Sequence, residues 1–326
     1  MGKTQYYNEV TIMKAIAALF ITWFHFKWTV PDMLQPIFVG GAIGNSLFFF
    51  CSGYLLKFKE EKYPGQWLVQ KYLRVMVPVW IVYMLMMGAD MMRGHRTLIP
   101  LQLCFYPTLF WFVNAILCYF LIVYLAKFFI DTNKGGKDKK KINVLILSLL
   151  AFAGNLLWYI FMVEDKDIII IDEGGIKCWF YFFIFFIWGY YVRNFGERIK
   201  ASRWAWMEAV LCLALFYGYK KLATGWTIEW QVVFVPLLLS YVIVAYRKLA
   251  KVLIKIAFPV PIKNIIIFLA SITLEIYIVQ MYLINWIMPL LPFPVNMLAS
   301  TVTIFAAAYV VHLLGTWLTA KLHFLK

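Results

Sequence analysis

The chain has 326 residues, 63% of them hydrophobic and 14% charged, with a mean hydropathy of +0.77. That is more apolar side chain than a water-soluble core of this length can bury, which excludes a soluble enzyme or binding module and implies an integral membrane protein. The formal net charge of +15 comes from short basic loops rather than an Arg-rich arm or tail, so nucleic-acid binding is not expected.

A spanning helix needs about 20 mostly apolar residues. Ten stretches qualify, at 10–30, 36–57, 74–92, 108–130, 142–163, 178–195, 205–223, 229–247, 265–290 and 296–320. The fourth and fifth are parted by DTNKGGKDKKK, and EDKDIIIIDEGGIK at 164–177 has acidic flanks; both read as extramembranous. With the N-terminus inside, 23 of the 31 Lys and Arg fall on the cytoplasmic side, 7 on the outer side, and Lys14 lies within the first span. Short cytoplasmic loops carry the positive excess, so both termini are expected in the cytoplasm, where the basic face meets anionic lipid. The expectation is an all-α polytopic fold, residues 1–326 forming a single membrane domain with neither a cleavable signal nor an appended soluble domain. The five cysteines stand singly without metal-ligand spacing and read as buried small hydrophobes, and no metal is expected.

The first span carries Lys14 and His25. Eleven residues at about 100° each bring the second side chain to within about 20° of the first, so the two share a face about 16 Å apart along the axis. A charge inside a span costs at least ~2.5 kcal/mol and normally faces a cavity or a partner. Each residue taken alone also fits a blander role: Lys14 snorkelling to the inner headgroups, His25 bonded within helix packing. In the second span Ser52 and Gly53 interrupt an apolar run, allowing close helix approach or a bent backbone. Lys71 and Arg74, three apart before Pro78, share a face and serve either as a topology anchor or as a phosphate site. The aromatic run CWFYFFIFFIWGYYV reads as lipid-facing helix, while Trp158, Tyr159, Trp226 and Trp230 fall near outer ends, where sugars stack. Glu275 is a second intramembrane acid, placed to pair with Lys14, to line a substrate route, or to form a structural ion pair. His312 lies in a span with no ionisable neighbour in sequence and reads as packing. His95 and His323 fall in an outer loop and at the C-terminus.

The register of Lys14 to His25, FFFCSGYLL at 48–56, KYLRVMVP at 71–78, FWFVNAILCYF at 110–120 and LASITLEIYIVQ at 269–280 resembles the membrane-bound acyltransferase family 3 over essentially the whole chain. The resemblance implies an acyl-CoA-dependent O-acyltransferase that moves an acyl group, usually acetyl from acetyl-CoA, to a hydroxyl of a cell-surface or lipid-linked glycan. It implies a multi-pass protein of a bacterial inner (cytoplasmic) membrane. His25 would be the catalytic residue, either a general base on the sugar hydroxyl or a transient acyl carrier, with Lys14 its basic partner in the donor channel. Lys71 and Arg74 would hold the CoA phosphates, and Ser52, Gly53 and Trp111 would shape the pore. Glu275, Tyr277 and Gln280 fall where the acceptor would lie. Two positions depart from the family pattern. Lys14 stands where Arg is common, giving a point charge instead of a bidentate fork. Gln280 stands where many members have His, and an amide cannot relay a proton.

Because a thioester is already activated, such an enzyme needs mainly a base for the acceptor, an oxyanion donor and a dry site. Other classes share the composition. A flippase of a lipid-linked glycan would show broken helices at matched positions of two halves, and a non-catalytic scaffold would leave Lys14 and His25 without a common purpose.

Overall fold

The computed structural model describes residues 8–27, 29–35, 38, 40–58, 65–94, 105–127, 137–163, 170–196 and 199–321. Among these there is no strand. The long helices are α1 (Glu9–His25), α2 (Gly41–Tyr54), α3 (Gln66–Met92), α4 (Trp111–Leu125), α5 (Lys137–Met162), α6 (Trp179–Asn194), α7 (Ala205–Leu222), α8 (Gln231–Lys255), α9 (Val260–Ser271), α10 (Thr273–Ile287) and α11 (Val295–Lys321).

Among the described residues, five helices are long and apolar enough to cross a membrane, and a sixth if the pair interrupted at Ile272 is one broken span. They make this a multi-pass membrane protein. The ten expected spans all have helical counterparts, but α1, α2 and α4 are 17, 14 and 15 residues long, shorter than their apolar stretches. Other boundaries moved outward. Helix α5 begins in the basic run at Lys137, inside the stretch expected as a loop, and α8 continues past Arg247 to Lys255. The single span expected at 265–290 is two helices. The Ser271 hydroxyl donates to the Phe268 carbonyl at 2.7 Å, competing with the ladder at the end of α9, and Ile272 leaves helical geometry at φ −103°, ψ 17°.

The chain sorts into two compact units. The first comprises Met1–Phe20, Gly41–Leu56 and Ala126–Ser271; the second comprises Ile21–Gly40, Lys57–Leu125 and Ile272–Lys326. In the first, α2 packs along α6, α6 along α5, and α8 along α7. Its core is aromatic: Phe49, Phe50, Phe182, Phe185 and Phe186 are fully buried, and Phe49 stacks on Phe182 with centroids 5.2 Å apart. The run CWFYFFIFFIWGYYV is therefore core, not a lipid-facing surface. Glycine makes this possible. A Cβ on Gly53 would fall 1.8 Å from the Phe186 carbonyl oxygen, and one on Gly189 2.1 Å from that of Phe50, so the two backbones meet at contacts only glycine permits.

In the second unit α10 packs on α11 and α3, and α3 on α4. Gly315 of α11 lies against Pro78 of α3. The outward faces of α5 (Leu149, Leu150, Phe161) and α11 (Val302, Val310, Leu313) remain exposed and apolar. In water such surface would aggregate, whereas in lipid it is at home.

Candidate functional site

Helix α1 starts where Asn8 caps it: the Asn8 side-chain oxygen accepts from the Thr11 amide at 3.0 Å and the Thr11 hydroxyl at 3.2 Å, satisfying one otherwise orphaned N–H. The helix then runs unbroken through Lys14 to His25, both half-buried, and the shared face follows from that continuity. The sequence reading put His25 deep in a span ending at residue 30, whereas it is the last helical residue. Beyond it the chain turns through three-residue bonds, Phe26 N–H to the Trp23 carbonyl and Lys27 N–H to the Phe24 carbonyl, each 3.1 Å. The imidazole thus stands where a helix ends and the backbone departs. One turn earlier the buried Thr22 hydroxyl has no hydrogen-bond partner within the protein. Lys14 belongs to the first compact unit and His25 to the second.

The second unit also holds Lys71, Arg74, Trp111, Glu275, Tyr277 and Gln280. On α10, the Glu275 carboxylate lies 2.9 Å from Nδ1 of His312 on α11. The sequence offered His312 no partner because the acid is 37 residues away; the packing of α10 on α11 supplies it. A neutral imidazole that donates Nδ1–H to this carboxylate would keep its Nε2 lone pair, the arrangement that orients an imidazole for proton transfer. Tyr277 is buried with its ring 4.5 Å from that of Phe112. Gln280 is fully buried, and neither its amide oxygen nor its nitrogen has a partner within the protein. An orphaned buried amide costs about 1–3 kcal/mol, and a hydroxylated ligand is one way to satisfy it.

The Glu275–His312 contact carries its own prediction. His312→Ala leaves a carboxylate that is only 7% exposed without this partner, and is expected to lower unfolding stability by about 1–3 kcal/mol. Glu275→Gln keeps an acceptor for Nδ1–H and is expected to cost less. Thermal unfolding of the detergent-solubilised variants measures both; equal losses would contradict a pair that matters through its buried charge.

Helix α3 enters from Gly65, held left-handed at φ 79°, whose N–H donates to the Tyr124 hydroxyl at 2.8 Å. Its basic pair is split in environment. The Lys71 ammonium sits 5.4 Å from the ring centroids of both Trp67 and Phe120, a cation–π seat, while Arg74 is exposed. Trp111 is the first residue of α4, fixed there by Asn114: its side-chain oxygen accepts from the Thr108 N–H at 2.6 Å, and its amide donates back to the Thr108 carbonyl at 2.9 Å.

In the first unit, Ser52 is half-buried at the end of α2. Gly53 faces the α6 backbone, so any influence it has on a pore runs through the spacing of the two helices. Arg193 and Arg247, both expected in cytoplasmic loops, reach the same end of α2. Arg247, placed by the sequence at a loop edge, is buried inside α8 and lies 3.4 Å from Glu9 on α1; Lys251 lies 3.4 Å from the other oxygen of the same carboxylate. The i, i+4 spacing of Arg247 and Lys251 was the available signal.

Of the aromatics picked as sugar platforms, Trp226 and Trp230 are exposed and Tyr159 is buried. The Trp158 ring lies 5.9 Å from Phe180, its indole N–H buried without a partner within the protein. His95, His323 and Cys104 lie outside the described residues. No three His, Cys, Asp or Glu side chains among the described residues converge as a metal site requires.

A family profile for an acyltransferase domain, that of acyltransferase family 3, matches residues 7–321. No curated protein and no solved structure matches the chain. The match spans both compact units and every helix described above, and the chain belongs to acyltransferase family 3.

Proposed function

We propose that the protein is an integral-membrane O-acyltransferase that moves an acyl group, acetyl in the first instance, from cytoplasmic acyl-CoA to a hydroxyl of a cell-surface or lipid-linked glycan. The observation that carries this reading is membership of an acyltransferase family over nearly the whole chain, joined to an unbroken α1 that bears Lys14 and His25 on one face. In this reading ten spans place both termini in the cytoplasm, and residues 1–326 act as one membrane domain of a bacterial cytoplasmic membrane.

The chemistry asks little of the chain. His25 accepts the proton of the acceptor hydroxyl as its oxygen attacks the thioester carbonyl carbon. The C–S bond then breaks, the ester forms, and the CoA thiolate leaves with the proton returned by the imidazolium. Lys14, Lys71 and Arg74 attract the donor's phosphates, Ser52 and Trp111 shape the donor route, and Glu275, Tyr277 and Gln280 line the acceptor side. In the acyl-carrier variant the imidazole nitrogen itself takes the acyl group before passing it on.

Incubating the purified chain with labelled acetyl-CoA and no acceptor separates the two routes. A general base is expected to leave the protein unlabelled, whereas label that stays on the chain and is absent from His25→Ala establishes the acyl carrier. A flippase would show broken helices at matched positions of two halves, and among the described residues the one broken pair is at Ile272. That favours the enzyme.

A further inference from the structure

Among the described residues of the first compact unit, several cations gather around the end of α2, and Glu9 is the carboxylate in contact with Arg247 and Lys251. Arg247 is 4% exposed, and its Nε has no hydrogen-bond partner within the protein. Its guanidinium stands 5.6 Å from the Phe50 ring and reaches Glu9 only at 3.4 Å. Lys251 shares Glu9 and also donates to the Ile199 carbonyl at 2.7 Å. Arg193 donates to the Tyr54 carbonyl at 2.7 Å. The neighbouring Lys248 and Glu208 form a matched pair at 2.6 Å. In the contacts described, two cations therefore share one carboxylate, and Arg193 stands at the same end of α2.

A buried guanidinium is costly unless its donors are met and its charge is balanced. One long contact to a carboxylate shared with Lys251 does neither. Helix direction puts the group on the basic side of the protein: Glu9 begins α1, Tyr54 ends α2, Arg193 lies in the last turn of α6, and Arg247 and Lys251 lie in the closing turns of α8. An anion that approaches from that side and offers several acceptor oxygens would meet these donors, which is the chemistry of phosphate.

We propose that Arg247, with Lys251, binds a phosphate group of the acyl donor, and that Glu9 is the internal counter-ion which this phosphate displaces. The inference rests on the acyl-CoA reading above and deepens it. The donor carries separate phosphate groups, so the assignment does not compete with that of Lys71 and Arg74.

The test is binding of labelled acetyl-CoA to the full chain in phosphatidylcholine nanodiscs. Arg247→Gln is expected to weaken binding at least ~10-fold, as loss of a charge-assisted contact does, and to leave binding of S-acetylpantetheine, which lacks phosphate, unchanged. Glu9→Gln removes the competitor and is expected to strengthen acetyl-CoA binding several-fold. A purely structural Glu9–Arg247 bridge predicts the opposite sign, so this variant decides the matter even if Arg247→Gln does not fold. Acetyl-CoA binding that is unchanged in Arg247→Gln, or weakened in Glu9→Gln, overturns the inference. So does a result in phosphatidylglycerol nanodiscs where Arg247→Gln loses co-purifying phosphatidylglycerol yet binds acetyl-CoA normally, since the phosphate is then a lipid's. Wild-type protein that retains no acetyl-CoA instead overturns the donor reading itself.

Discussion

Membranes carrying His25→Ala are expected to lose transfer of labelled acetyl from acetyl-CoA to glycan by ~10²–10⁴-fold, the contribution of a positioned general acid–base group. The loss should fall on turnover, with acetyl-CoA binding retained, because the phosphate-attracting cations are on other residues. Stability should change less than turnover, since His25 is half-buried at the last residue of α1. Lys14→Ala is expected to act differently, weakening donor binding before turnover. If His25→Ala keeps the wild-type rate, the Glu275–His312 pair becomes the leading acid–base candidate.

The second large effect is on folding. Gly53→Ala and Gly189→Ala each place a methyl group inside 2.2 Å of a backbone carbonyl oxygen of the facing helix, at 1.8 Å and 2.1 Å respectively. Side chains relieve overpacking by moving, at a typical cost of ~1–3 kcal/mol. Backbone cannot, so α2 and α6 must separate and the phenylalanine core between them opens. Both variants are expected to lose the folded protein from detergent extracts, as read by size-exclusion chromatography and thermal unfolding. Gly218→Ala offers the contrast: it lies inside α7 with nothing within 4 Å of the added atom, and should stabilise by roughly 0.5–1 kcal/mol. Normal folding of Gly53→Ala would contradict the close approach of the two helices.

The sequence disclosed the fold class readily because membrane insertion imposes long apolar runs, and these were visible as such. The break at Ile272 was not, since no Pro or Gly marks it and Ser271, whose hydroxyl bonds the Phe268 carbonyl, does only what Thr316 and Thr319 do inside the unbroken α11. The phenylalanine run of α6 misled for a related reason. Lipid and a helical core both accept Phe, and only the glycines at 53 and 189 distinguish them, through contacts between segments far apart in the chain.

The candidate site divides along the same line. Lys14 and His25 were legible because their relation is helical spacing within one element. The Glu275–His312 contact joins residues 37 apart, and the Glu9–Arg247 contact residues 238 apart; neither leaves a periodic trace. Arg247 was hidden further by its neighbours, because a run of Lys and Arg beside an apolar stretch reads as a loop, while here the helix carries the charge inward.

The most direct test of the account compares glycans by mass spectrometry from cells expressing the wild-type chain, His25→Ala, and none. The account predicts that wild-type glycans are heavier by the mass of one acyl group per modified unit, and that this increment is absent from the other two. Identical glycan masses in all three, from cells that demonstrably contain the folded protein, would contradict it.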